Sequence, residues 1–134
     1  MRWSHAALNC GDLDTTEKFY TTWFGARRVN EFDLGDLRIV FLRLGDAYLE
    51  LFGQARPPAG EAPGGDGHPV AGTVRHIAFQ TDDLDGFLRR IEGQAEITLG
   101  PLDFSAHIHG WRSVWLRDPD GVIVEVSEGY RDRA

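Results

Sequence analysis

Two histidines and two glutamates stand at matching places in this 134-residue chain. His5 opens the run "HAALNC" and His76 opens "HIAFQ"; each is followed by an Asp-Leu-Asp, in "GDLDTTEKFY" and "DDLDGFLRR". Glu50 lies in "AYLELF" and Glu125 in "VIVEV". A carboxylate in so apolar a segment is costly to bury unless it is paired or bound to a metal. Two imidazole nitrogens with two carboxylate oxygens form a donor set for a divalent transition ion (Zn, Ni, Co, Fe or Mn), with waters at the remaining positions. Substrate oxygens can replace such waters and be polarised. A single His at a strand start is ordinarily a structural residue. Two coincident His/Glu pairs in a repeated unit are much harder to explain that way, so His5, Glu50, His76 and Glu125 are the candidate metal ligands.

The elements that must hold these residues follow from periodicity. Over residues 3–10 the alternation of a strand puts His5, Ala7 and Asn9 on one face and Ala6, Leu8 and Cys10 on the other. Likewise His76, Ala78 and Gln80 share a face opposite Ile77 and Phe79. A helix follows each strand. Leu13, Phe19, Tyr20, Trp23 and Phe24 fit helical spacing after Asp12 and Asp14, while Leu84, Phe87, Leu88 and Ile91 do so after Asp82 and Asp83. Gly25 and Gly93 suit the helix C-termini. Three strands are then predicted in each half: 27–33, 37–44 and 47–52, and 95–99, 112–117 and 122–127, with turns at "LGD" and "DPDG". "VFLRLGDAYLELF" and "VWLRDPDGVIVEV" can be laid over each other, Glu50 answering to Glu125. Between the halves, residues 53–72 are half Gly or Pro and read as a linker. The predicted organisation is α+β: a βαβββ module over about 1–53, a linker over about 54–72 and a second βαβββ module over about 73–130, together one domain.

Composition narrows the function classes. With 42% apolar and 26% charged residues, the chain has the make-up of a globular protein, and no apolar run approaches a membrane span. A net charge of -7 argues against nucleic acid or anionic membrane as a partner. One cysteine precludes an intrachain disulfide, and "MRWSHAALNC" is unlike a signal peptide, so a cytoplasmic location is expected. By alternation Cys10 points away from the ligand face and is expected to pack in the core. His68 is expected to be a solvated loop residue.

The residues "HAALNCGDLDTTEKFYTTWFG", "RHIAFQTDDLDGFLRRI" and "VWLRDPDGVIVEV" resemble the vicinal oxygen chelate superfamily, which is the glyoxalase/bleomycin resistance protein/extradiol dioxygenase fold. The most specific part is "DPDG" followed by an apolar run and Glu. The resemblance spans nearly the whole chain. It implies paired βαβββ modules forming a cupped mixed sheet around a central site, with metal ligands from the first and last strands of each module, here His5, Glu50, His76 and Glu125. That His/Glu/His/Glu set is similar to glyoxalase I. There, a metal-dependent lyase holds vicinal oxygens of a hemithioacetal while a carboxylate ligand moves a proton; by this resemblance Glu125 is the preferred catalytic base and Glu50 its counterpart. The chain has Asn9 where glyoxalase I commonly carries an Arg that engages glutathione, a departure that bears on that co-substrate and leaves the metal chemistry untouched. Other members of the family include extradiol dioxygenases with a His/His/Glu iron site and bleomycin-binding proteins that sequester a drug and catalyse nothing. The partner expected is a small-molecule substrate.

Tyr48 and Phe52 share the face of Glu50 and, with Asn9 and Trp111, are the candidate pocket wall. The stretch "LDFSAHIHGWRSVW" is open to two readings, one in which its His-x-His pair contacts substrate and one in which it is a surface loop with Trp111 covering a core edge. Arg38 and Arg112, before the third strand of each module, are either carboxylate binders or surface charges. Because isolated modules would leave sheet edges and apolar faces in water, the chain is expected to form a homodimer with two equivalent sites.

Overall fold

The computed structural model describes residues 1–60 and 62–133. The chain divides into two compact units, residues 1–60 and 61–134. Of the linker expected over about 54–72, Glu61 lies outside the described residues.

The first unit runs β1 (His5–Asn9), α1 (Leu13–Phe24), β2 (Arg27–Asp33), β3 (Arg38–Leu44) and β4 (Ala47–Phe52). The sheet order is β1-β4-β3-β2, with β1 parallel to β4 and the other pairs antiparallel. Asp12 caps α1 by accepting from the Thr15 N–H, satisfying a donor that the first helical turn leaves free. Gly25 ends the helix at φ 73, a left-handed conformation open to glycine and strained for other residues. The buried face of α1 is Leu13, Thr16, Phe19 and Tyr20. Facing inward from the sheet are Leu8, Val40, Leu42, Leu49 and Leu51, all buried, and Cys10 is buried among the core residues as expected. Burying each such side chain contributes about 1.5–3 kcal/mol relative to exposure.

The second unit repeats the order: β5 (Ile77–Gln80), α2 (Leu84–Ile91), β6 (Glu96–Asp103), β7 (Arg112–Arg117) and β8 (Ile123–Glu128). Its sheet order is β5-β8-β7-β6, again with one parallel pair, β5 with β8. Asp83 caps α2 by accepting from Gly86 N–H. The core is Leu84, Phe87, Ile91, Val114, Leu116, Val124 and Val126. The tandem βαβββ organisation is therefore present.

Two local differences from the expectation have physical causes, one in β6 and one in the linker. Strand β6 runs on to Asp103 rather than stopping at residue 99: it lies at the sheet edge, where a proline costs no ladder bond, and register shifts after Ile97 and Leu99 absorb the irregularity. Helix α2 ends at Ile91 with Glu92 as its cap, and Gly93 follows in the left-handed region at φ 73, as expected for a helix C-terminus. The second half of the expected linker belongs to the second unit. Gly64 bridges Gly67, His68 N–H donates to Arg75 O, and the Thr98 hydroxyl donates to Gly65 O at 2.6 Å. Residues 64–76 thus fold back on themselves beside β6, and His68 itself is exposed.

Candidate functional site

In the first unit, β1 and β4 are parallel neighbours with His5 opposite Tyr48 and Ala7 opposite Glu50. Residues sharing that face are two apart along each strand, so His5 and Glu50 reach each other: His5 Nε2 lies 3.1 Å from a Glu50 carboxylate oxygen. The other ring nitrogen, Nδ1, faces the Ser4 hydroxyl at 2.9 Å. Glu50 also stands opposite Phe41 of β3, whose ring meets the His5 imidazole edge-on at 5.7 Å between centroids.

The second unit builds the same contact. Ala78 pairs with Glu125 across β5 and β8, and His76 Nε2 lies 2.9 Å from a Glu125 oxygen. Trp115 of β7 stands opposite Glu125 and meets the His76 ring edge-on at 6.3 Å. Here the far nitrogen is fixed. His76 Nδ1 lies 2.7 Å from the backbone carbonyl oxygen of Asp66. A carbonyl can only accept, so Nδ1 carries the proton and donates it. In the neutral ring Nε2 then presents a lone pair towards a carboxylate oxygen, and two electron-pair donors at this distance need a cation between them, a proton or a metal ion. The residues present thus fit a divalent ion: the carbonyl–His arrangement is how metal-ligating imidazoles are oriented.

The Asp66 carbonyl was not foreseen in the sequence. It is delivered by the 64–76 fold-back, which Gly67 makes possible: φ is 112 there, and a Cβ would sit 1.7 Å from Arg75 O. The Arg75–Asp66 ion pair at 3.1 Å closes the same loop. Phe41 and Trp115 were also missed as partners, though the overlay of "VFLRL" on "VWLRD" puts them at one place.

Of the expected pocket residues, Asn9 is exposed on the His5 face and pairs in register with Phe52, while Tyr48 pairs with His5. Tyr48 also lies under the Arg43 guanidinium at 5.9 Å. Trp111 is in the second unit, where its ring meets Phe104 at a tilt at 4.7 Å and Tyr130 edge-on at 5.4 Å between centroids. His107 and His109 are exposed. Among the described residues, no group of three or more His, Cys, Asp or Glu is gathered to hold a metal; what is gathered is one His–Glu pair in each unit.

Arg38 and Arg112 are both engaged within their own units. Arg38 pairs with Asp14 and Glu31, each at 2.6 Å, and Arg112 with Asp85 at 3.0 Å and Glu128 at 2.9 Å. Those carboxylates, Asp14 first, raise the Arg38 pKa, and Asp85 and Glu128 do the same for Arg112. In return, the Asp14 and Glu31 carboxyls are held below their ordinary values by Arg38. Glu128, expected just beyond the last strand, is the final residue of β8, where one carboxylate oxygen accepts from Leu84 N–H at the start of α2. It is a structural residue, tying helix to sheet.

A sequence model of the Glyoxalase/Bleomycin resistance protein/Dioxygenase superfamily matches residues 2–126. Among solved structures, a glyoxalase family protein from Enterococcus faecalis is similar at 25% identity, with 92% of this chain and 94% of that one covered and a TM-score of 0.70. The trypanothione-dependent glyoxalase I of Leishmania major is similar at 24% identity over 96% of this chain and 87% of its own, TM-score 0.71. The fosfomycin resistance protein FosX of Listeria monocytogenes, complexed with Mn(II) and sulfate, is similar at 18% identity over 97% and 92%, TM-score 0.69. These last two likenesses are of fold. No curated protein matches the chain in sequence.

Proposed function

Because the chain belongs to the glyoxalase/bleomycin resistance protein/dioxygenase superfamily, we propose that its two His–Glu pairs are the halves of one divalent-metal site, and that the protein is a lyase- or isomerase-like enzyme acting on a small organic molecule with two neighbouring oxygens. The observation that carries this reading is the duplicated contact, His5 with Glu50 at 3.1 Å and His76 with Glu125 at 2.9 Å, with His5 opening β1, His76 immediately before β5, and the glutamates on β4 and β8. The halves come together within one chain or between two chains of a homodimer. Glyoxalase I and the Mn(II)-bound FosX, similar in fold, lend weight to a metal enzyme.

His5, Glu50, His76 and Glu125 would hold the ion. When bound, it supplies polarisation of the two substrate oxygens, which acidifies the adjoining C–H. The chain's own groups do the rest. Asp66 O holds His76 in one tautomer, so the imidazole keeps its orientation through turnover. Glu125 takes the proton and returns it at the neighbouring carbon, with Glu50 in the counterpart position. Phe41 and Trp115, edge-on to the two imidazoles, limit water around the proton in transit. Tyr48, Phe52 and Asn9 line the approach from the first unit. The medium is taken to be the cytoplasm; no described helix is long and apolar enough to cross a membrane.

The test is the metal content of protein purified without a His tag. About one divalent ion is expected per four-residue set, falling in the double variant His5→Ala/His76→Ala. Unchanged content in that variant overturns the assignment. Stoichiometric ligand binding without an ion or turnover would instead match a drug-sequestering role. Sedimentation showing only monomer at full ion occupancy would exclude the dimer.

A further inference from the structure

On β7 the odd-numbered positions share the face of Glu125, because Trp115 and Glu125 are register partners. The even-numbered residues Val114 and Leu116 point into the core. Continuing the odd row through the residue before the strand gives Trp111, Ser113, Trp115 and Arg117. Each carries a buried polar atom with no hydrogen-bond partner: Trp111 Nε1, Ser113 Oγ, Trp115 Nε1 and Arg117 Nη1. Ser113 is fully buried and Trp115 is 6% exposed, so neither meets bulk water to a useful extent. Among the described residues these four make up every buried side-chain nitrogen or oxygen left unpartnered. Such groups are rare because their desolvation goes uncompensated, and four on one strand face call for a common partner.

Their chemistry names that partner. Indole N–H and guanidinium N–H only donate, and a serine hydroxyl can donate. A row of donors takes acceptors. Neighbouring positions on one face lie about 6.5–7 Å apart along a strand, a gap that two hydrogen bonds of about 2.9 Å and the two oxygens of one oxyanion can bridge. Two carboxylates lie nearby and both are engaged, Glu125 by His76 at 2.9 Å and Glu96 by Arg117 Nε at 3.1 Å, which leaves Arg117 Nη1 as the guanidinium's free donor in the row. The first unit has no such row: by the overlay of β3 on β7 its equivalents are Leu37, Ile39, Phe41 and Arg43, and the last donates to Gly45 O.

We infer that the β7 row, with Ser113 and Trp115 at its centre, is the recognition surface for an oxyanion on the substrate, a carboxylate or a phosphate-like group. This rests on the small-molecule site proposed above, but it does not rest on the metal. The chain holds four tryptophans, and Trp3 and Trp23 lie in the other unit, so they serve as internal references. In the 15N-labelled full chain, titration with inorganic phosphate or, separately, with succinate is expected to move the Trp111 and Trp115 indole N–H signals saturably and to leave those of Trp3 and Trp23 in place. The stronger of the two titrations identifies the class of oxyanion. Ser113→Ala should weaken the binding on the order of tenfold, the loss of one hydrogen bond to a charged group, whereas Ile39→Val at the matching position should not change it. Ser113→Thr, which keeps the hydroxyl, should restore most of the affinity. Indole signals unmoved by either anion, or four signals moving alike, would overturn the inference, as would undiminished binding by Ser113→Ala. A failed metal assignment shows in ion content and leaves the indole shifts intact, so the two readings fail separately.

Discussion

The two units share one element order and differ most in what surrounds the His–Glu pair of each. Both keep the His–Glu contact and an aromatic ring set edge-on to the imidazole. Both also keep an arginine at the start of the strand before last, paired with the second residue of the helix: Arg38 with Asp14 and Arg112 with Asp85. What differs is how the His is held and what surrounds it. His5 leans on the adjacent Ser4 hydroxyl, which can donate or accept, while His76 is fixed by the Asp66 carbonyl. The first unit's row along β3 is largely apolar, and the second unit's row, from Trp111 through β7, carries four buried polar atoms without a hydrogen-bond partner. Duplication has kept what orients the ligand pair and buttresses the helix, and has let the surface beside that pair diverge.

The largest effects should be the same in both units, because the cores match. Leu42 and Leu116 occupy equivalent positions and are fully buried. Leu42→Ala and Leu116→Ala should each destabilise by about 2–5 kcal/mol, read from urea unfolding monitored by circular dichroism. A large loss for one and none for the other would mean that the units do not share the burden of stability equally.

At the His–Glu pairs the copies should separate. His76 sits with its Nδ1 proton committed and its side chain 22% exposed, against 39% for His5. On the proposed metal site, His76→Ala should therefore lower ion affinity at least tenfold, and more than His5→Ala does, measured by competition with a chelating dye. Equal losses would show that the orientation of His76 adds nothing to affinity.

Much of this comparison could be read before any coordinates. Strand alternation placed His5 and His76 on their faces, and the matched "VFLRL" and "VWLRD" segments placed the last strands, because short-range periodicity is a local property of the chain. The tandem βαβββ order was legible for the same reason, and the family through the resemblance of whole motifs such as "VWLRDPDGVIVEV". The support for His76 was not. Asp66 lies in a stretch so rich in Gly and Pro that it carries no periodic signal, and its contribution is a main-chain carbonyl, which residue type does not encode. Nor could spacing reveal that Glu128 accepts from the helix α2 N-terminus, since that contact spans the unit. The unpartnered row on β7 needed burial as well as alternation to be seen.

Gly67 tests the orientation of His76 without touching the imidazole. With φ at 112 and a Cβ that would collide with Arg75 O, Gly67→Ala must shift the loop carrying Asp66. A cost of about 1–3 kcal/mol is expected for the strained backbone. Gly35→Ala, also at positive φ but with open space around the Cβ, gives the strain without the collision. Only Gly67→Ala should change the His76 tautomer, seen as altered Nδ1 and Nε2 nitrogen shifts in a two-bond 15N–1H spectrum. An unchanged tautomer in that variant would mean that Asp66 O follows the imidazole instead of fixing it.

The smallest effect concerns the helix buttress. The hydrogen bond from Arg38 lowers the Asp14 carboxyl below its ordinary value of 3.8. A carboxyl whose folded value is depressed adds stability above its unfolded value, and that stability is lost as the pH falls through the folded one. Wild type should therefore lose stability as the pH drops below about 3.8, and Asp14→Asn should lose less over the same window. The Asp14 side chain is 75% exposed, so salt screens most of this interaction and the difference should shrink at high ionic strength. Glu31 is lowered by the same guanidinium, so Asp14→Asn retains part of the pH dependence and Arg38→Met should remove more of it. Urea midpoints at about pH 5 and about pH 2.5, in low and high salt, measure it. If Asp14→Asn follows wild type across that window, the Arg38–Asp14 pair is a surface contact with no thermodynamic share in holding α1 to its sheet.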